Sequence, residues 1–335
     1  MTRAADPPRV LVTGGAGYVG AVLVPKLLAA GHRVRVLDLY LYGEEALAGV
    51  RGHPGLEEVR GDLRDRDLLR RILPGCRSVI HLACISNDPS FELDPALGRS
   101  INYDAFEPLV RISRDAGVER FIYASSSSVY GVKAEAEVTE DLSLEPLTDY
   151  SRYKALCEEV LLGLRRPGFK AMVLRPATVC GWSPRLRLDL AVNIMTAHAL
   201  CDGVIKVFGG AQCRPNLHIQ DMTDLYRAAL EWDGEAIDGR TYNAGCQNHS
   251  VADIAGIVRD TLGGGIRIET TPTDDLRSYR ISSERIRREL GFAPRHSVQE
   301  AVGDLARAFQ DGLVPDALTA PRYSNIKQMQ RLALV

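Results

Sequence analysis

Short apolar runs alternate with longer amphipathic stretches through the first half of the chain. Residues 9–13 form an apolar run that stops at glycines, and residues 33–39 form a second. Further runs at 78–83, 120–124 and 171–174 have the length and residue types of buried strands. Between them, 18–30, 105–116 and 153–164 read as helices, the first closed by Gly31. This alternation predicts βαβ units, hence an α/β fold with a parallel sheet covered on both faces. Pro25, inside the first helix, lacks an N–H and predicts a kink or local irregularity. After Pro176 the pattern loosens into segments punctuated by proline and glycine, such as Gly181-Trp182-Ser183-Pro184 and Phe208-Gly209-Gly210. A smaller lobe grafted onto the end of the sheet is expected there. The boundaries that follow are a large domain of residues 8–180 and 215–248, a lobe of 181–214 and 249–320, and a tail of 321–335.

Composition narrows the picture. With 335 residues the chain can bury a substantial core without disulfide or metal staples. Its 41 Lys+Arg against 43 Asp+Glu give no strong field to attract nucleic acid or an anionic membrane. No run of about eighteen apolar residues suggests a membrane span. Residues 1–8 lack the apolar core of a signal peptide. Seven cysteines, an odd number without a C-x-x-C pair, suit free thiols in a reducing cytoplasm and offer no metal-ligand pattern.

Two motifs carry chemistry. The first, Thr13-Gly14-Gly15-Ala16-Gly17-Tyr18-Val19-Gly20, joins the first strand to the first helix. Gly14, Gly17 and Gly20 allow a tight turn, backbone approach to a pyrophosphate and close packing of helix on sheet, as in a Rossmann-type doubly wound domain. Asp38 ends the second strand, where a carboxylate accepts from an adenosine ribose diol and repels a 2′-phosphate; NAD is favoured over NADP. Gly61-Asp62-Leu63 follows a third short strand. Asp62 either lies beside the adenine or caps a helix over residues 64–73. The second motif is Tyr150-Ser151-Arg152-Tyr153-Lys154. Residues at i and i+4 share a helical face, so Tyr150 and Lys154 can serve one reaction centre. A nearby cation favours a phenolate and lowers the tyrosine pKa from its ordinary value near ~10.

These motifs occur with His81-Leu82-Ala83-Cys84, the run Phe121-Ile122-Tyr123-Ala124-Ser125-Ser126-Ser127-Ser128-Val129-Tyr130-Gly131, and Arg175-Pro176. Later come Arg214-Pro215-Asn216-Leu217-His218, Tyr242-Asn243-Ala244-Gly245 and Leu290-Gly291-Phe292-Ala293-Pro294. In this order they resemble the extended short-chain dehydrogenase/reductase superfamily, and within it the nucleotide-sugar epimerase/dehydratase branch. The resemblance implies a Rossmann-type sheet with a smaller C-terminal substrate-binding lobe, bound NAD and a cytoplasmic homodimer. Mapped by position, it makes Ser126 the catalytic hydroxyl, Tyr150 the acid/base and Lys154 the cofactor-ribose ligand. The cofactor site it implies comprises Gly14, Gly17, Tyr18, Val19, Gly20, Asp38, Asp62, Leu63, Leu82, Ala83, Tyr150, Lys154 and Pro176.

The substrate implied is a nucleotide-diphosphate sugar. Arg214 and Arg277 stand where the family binds the diphosphate, a task suited to arginine forks, or else form surface ion pairs. Ser86 and Asn87 either bond the sugar or make a turn. Thr178 replaces an asparagine common among relatives, and Asn193 is the next amide expected at the substrate. Arg185 and Arg187 are further cations near the cleft, with no choice yet between it and solvent. The tail either covers the cleft or frays. One departure is informative: dehydratases of this branch place an Asp-Glu pair directly after the catalytic hydroxyl residue, and here Ser127 and Ser128 stand there. The expectation is therefore an NAD-dependent epimerase, inverting C4 through a transient 4-keto form. The alternatives are a dehydratase or oxidoreductase of the same superfamily, and more remotely a non-catalytic NAD-binding scaffold.

Overall fold

The computed structural model describes residues 9–273 and 278–332. Twelve strands occur among them: β1 (Arg9–Thr13), β2 (Arg33–Asp38), β3 (Leu56–Arg60), β4 (Cys76–His81), β5 (Arg120–Ala124), β6 (Lys170–Pro176), β7 (Thr178–Cys180), β8 (Val204–Phe208), β9 (Cys213–His218), β10 (Arg240–Ala244), β11 (Gln247–Ser250) and β12 (Arg267–Thr271). Seven of them form one parallel sheet in the order β10-β6-β5-β4-β1-β2-β3. The order reverses at β1, whose Thr13 is in register with Leu37 of β2 and His81 of β4. At such a switch point the loops beyond the two strands part and leave a crevice at their carboxyl ends.

Strand periodicity builds two cores. Val10, Val12, Ile80, Ile122 and Met172 point to one face, and Leu11, Val79, Phe121, Tyr123 and Val173 to the other; all are buried. Beyond Pro176 the chain forms a small sheet, β11-β9-β7, and a parallel β12-β8 pair. Val192, Met195, Ile205, Ile254 and Val302 make a separate apolar core there.

The predicted elements are present with shifted ends. The first helix, Gly20–Ala29, runs unbroken through Pro25. The helix expected over residues 153–164 spans Asp149–Gly163 and so contains Tyr150 in its first turn. Thr148 caps it by accepting from Ser151 N at 3.3 Å, while Ser151 Oγ accepts from Thr148 N at 3.2 Å. Serine takes the place that glutamate or glutamine fills in the usual capping box, which hides the signal. Thr148 Oγ1 also donates to Asp88 Oδ1 at 2.5 Å, tethering this helix to the segment after β4.

A buried polar bracket fixes the other side of the same helix. Glu158, one turn beyond Lys154, accepts from Arg175 of β6 at 2.6 Å and 3.0 Å. It also accepts from Ser125 Oγ, at the end of β5, at 2.5 Å. Arg175 Nη1 donates to Tyr130 Oη, which donates to Asn243 Oδ1 of β10, each at 2.8 Å. The tail is packed: Tyr323, Asn325, Gln328 and Met329 are buried.

Glu158→Ala strands a buried guanidinium, a change that costs ~3–5 kcal/mol. Urea unfolding should show this as a large fall in midpoint. Glu140→Ala, which removes a carboxylate that accepts from Asn243 N at the edge of the same region, should cost less.

Candidate active site

One cavity of about 760 Å³ opens at the carboxyl ends of β1, β2, β4, β5 and β6 and is bordered by the lobe. The glycine loop forms its floor. Gly14 has φ +72°, and a Cβ there would lie 2.7 Å from the Ala83 nitrogen. A Cβ on Gly20 would lie 2.4 Å from the Gly15 carbonyl oxygen. No side chain fits at either place, so the loop presents backbone to the cavity, as a pyrophosphate requires. Asp38 accepts from Ala16 N at 2.9 Å and from Tyr40 N at 2.8 Å, which aims its carboxylate across the loop. Burial raises its pKa, and these two N–H groups oppose the rise. Each oxygen keeps a lone pair for a diol. The residues therefore fit an adenine dinucleotide.

Tyr18, Val19, Leu63, Leu82, Ala83 and Pro176 also line this cavity. Asp62 lines it too, ion-paired to Arg64 at 2.6 Å. The helix that Asp62 was a candidate to cap begins later, at Arg66, and is capped by Asp65.

Ser126, Tyr150 and Lys154 meet on one wall. Ser126 Oγ accepts from Ser128 N at 3.1 Å and lies 2.8 Å from Ser128 Oγ. Lys154 Nζ donates to the Ala124 carbonyl at 2.6 Å and stands 5.8 Å from the centre of the Tyr150 ring. Burial drives the Tyr150 pKa well above 10, with Cys84 and Asp88 adding to the rise; Arg187 and the Ser126 hydroxyl pull the other way. Lys154, the cation that the resemblance expects to favour the phenolate, thus stands beside the ring with its ammonium held by a carbonyl. Ser125 serves the Glu158 bracket, and Tyr153 stacks on Tyr103 at 5.2 Å.

On the substrate side, Ser86, Asn87, Thr178 and Arg214 line the cavity. Asn87 also caps a short helix, accepting from Ser90 N at 2.9 Å. Asn193 is not among the residues that line it. Its amide donates to Tyr18 Oη at 3.1 Å and Arg187 O at 2.9 Å, and accepts from Gly181 N at 3.0 Å. Fully buried and bonded at both ends, it supports Tyr18 from behind. Arg277 lies outside the described residues. Tyr42, Asp189, Asn325 and Met329 line the cavity without having been read as site residues.

A model of the NAD dependent epimerase/dehydratase family matches residues 10–245. The chain belongs to that family. It therefore lies in the extended short-chain dehydrogenase/reductase superfamily, and its cofactor is NAD. A UDP-glucose 4-epimerase from Mycolicibacterium smegmatis is 30% identical over 314 residues, spanning 90% of this chain and 99% of its own. A dTDP-glucose 4,6-dehydratase from Streptomyces griseus is 31% identical over 298 residues, spanning 85% and 89%. The crystal structure of DesIV, a dTDP-glucose 4,6-dehydratase from Streptomyces venezuelae solved with NAD bound, is 27% identical; it matches with a TM-score of 0.82 over 90% of this chain and 97% of its own.

The buried phenols of this family member have a consequence for its stability. Burial raises the pKa of Tyr18, Tyr123, Tyr150 and Tyr226 above 10. In the unfolded chain they ionise near ~10, so above that pH the unfolded state has lost protons that the folded state keeps. Stability is fully present below that pH and falls as pH rises beyond it. Urea unfolding at a series of alkaline pH values should show this decline, and Tyr226→Phe should flatten it.

Proposed function

We propose that the chain is an NAD-dependent nucleotide-sugar epimerase that inverts C4 through a transient 4-keto sugar, with Tyr150 as the acid/base. The observation that carries this reading is the state of the carboxylates lining the cavity. Among the described residues these are Asp38, Asp62, Asp88 and Asp189. Asp38 holds two backbone N–H groups, Asp62 holds Arg64, Asp88 accepts from Thr148, and Asp189 holds Arg187. No glutamate lines the cavity among those residues. Beside Ser126 the chain supplies two serines, whose hydroxyls are poor proton-transfer groups at neutral pH. Eliminating water needs an acid and a base in addition to the oxidising pair, and no unengaged carboxylate supports that.

Bound NAD supplies a hydride acceptor that can also return the hydride. The Tyr150 phenolate takes the proton of the sugar hydroxyl, and the Ser126 hydroxyl holds that oxygen. The same phenol gives the proton back when the carbonyl is reduced. Thr178 and Arg214 stand on the lobe side, where a sugar and its diphosphate are to be held; an arginine fork suits the latter. The UDP- and dTDP-glucose named for the relatives are the substrates to offer first.

Tyr150→Phe should lower turnover by ~10²–10⁴-fold while NAD stays bound. Mass spectrometry of the wild-type product decides the reaction class: a product of unchanged mass is expected from epimerisation. A product lighter by one water, or full activity in the phenylalanine variant, would defeat this reading.

A further inference from the structure

Two cations that line the cavity have been given no ligand above. Arg185 and Arg187 lie on the segment between β7 and the helix Ala191–Asp202, and both are buried, at 5% and 9% exposure. The Arg185 guanidinium stacks on Tyr42, its central carbon 3.6 Å from the ring centre. Its Nη2 donates to Asn325 Oδ1 at 2.5 Å. Stacking occupies the face of the guanidinium and not its N–H edge. Nε and Nη1 have no hydrogen-bond partner among the described residues. Arg187 donates from Nε to Asp189 at 2.8 Å and from Nη1 to Ser86 Oγ at 3.0 Å. Its Nη2 has no partner there either.

Three buried donor atoms on two guanidiniums that line the cavity are thus left unmatched, where most polar groups would be bonded. Burial, with the neighbouring Arg187, lowers the Arg185 pKa to about 10 despite the carboxylates of Asp189 and Asp38. Asp189 pairs with Arg187, while Asp38 acts on Arg185 without a hydrogen bond to it. Such a wall is complementary to an anion with several acceptor oxygens.

We propose that Arg185 and Arg187, held by the C-terminal segment, clamp the pyrophosphate of the bound dinucleotide. For Arg185 the neighbours favour this anion over the substrate's diphosphate, and Arg187 reaches from there towards Ser86. Arg185 stacks on Tyr42, four residues beyond Asp38, and both arginines act electrostatically on Tyr18 of the glycine loop. Arg214 belongs to β9 of the lobe sheet.

The clamp includes a strap. Asn325 fixes Arg185, donates to Ser86 Oγ at 2.9 Å, and donates from its backbone to Asp189 Oδ2 at 3.0 Å. Gln328 Nε2 reaches the Leu41 carbonyl at 2.6 Å, and Leu188 N donates to Tyr323 O at 2.8 Å. The segment from Tyr323 to Gln328 therefore bridges the loop after β2 and the arginine loop. Cofactor entry and exit require this bridge to open, and its closure retains NAD through turnover.

The proposal rests on the cofactor, not on which sugar reaction the enzyme performs. Calorimetric titration of cofactor-stripped protein with ADP-ribose, adenosine and UDP tests it. Arg185→Met and Arg187→Met should each weaken ADP-ribose by about tenfold or more, the loss expected for a charge-assisted hydrogen bond. Adenosine, which has no phosphate, and UDP should bind as before. Asn325→Ala keeps both arginines and should release prebound NAD faster on rapid dilution; it carries the test if the arginine variants do not fold. Unchanged ADP-ribose affinity, a loss confined to UDP, or unchanged NAD release from Asn325→Ala would overturn the clamp.

Discussion

The ion pair between Glu158 and Arg175 is the contact on which the active wall depends. Glu158 lies on the helix of Tyr150 and Lys154, Arg175 on β6, and Ser125 on the turn that delivers Ser126. One carboxylate therefore sets the distance between three elements that must converge on one substrate atom. A buried pair of this kind adds little net stability, because desolvation offsets most of its attraction. Its effect is to exclude alternatives: any slide of the helix along the sheet separates two buried charges. Tyr130 and Asn243 extend the restraint to β10, so the sheet edge farthest from the glycine loop is bound to the reaction centre.

The sheet and the glycine loop were legible because their signals are local. Period-two burial and a glycine spacing can be read from a dozen neighbouring residues, and β1, β2 and β5 came out within a residue or so of their ends. Local signals also misled. Asp62 and Asp65 both precede the helix Arg66–Ile72, and only backbone conformation decides which one caps it. Thr148 went unread as a cap because its reciprocal partner is a serine. Asn193 looked like a substrate ligand by position, but its fate depends on Tyr18, brought against it from 175 positions away. Partners in long-range pairs such as Arg185 and Asn325 carry no mark of each other in sequence.

The same limit explains why the tail could not be placed. Its residues are neither strongly amphipathic nor obviously polar, so packing and fraying were equally consistent with them. What holds it is a set of specific bonds from Asn325 and Gln328 to groups on two distant loops. The large sheet supplies the floor of the cavity and the lobe a wall, while this short terminal segment ties the cofactor's side of the cavity shut.

The serine turn and the tyrosine are best understood together. Burial already disfavours the Tyr150 phenolate, and the Asp88 carboxylate disfavours it further. An Asp-Glu pair at 127 and 128 would add two negative charges beside the same ring and push its pKa higher still. Such a site can tolerate a poorly ionised tyrosine only if the added acids share the proton transfers. With Ser127 and Ser128 there is no such help, so in the proposed reaction the phenol gives and takes every proton itself. Its ionisation then depends on positive charge at the site, where Arg187 acts on the phenol and the Lys154 ammonium stands over its ring. In the proposed reaction a single reversible acid/base, with serines rather than acids at 127 and 128, serves a hydride that leaves one carbon and returns to it.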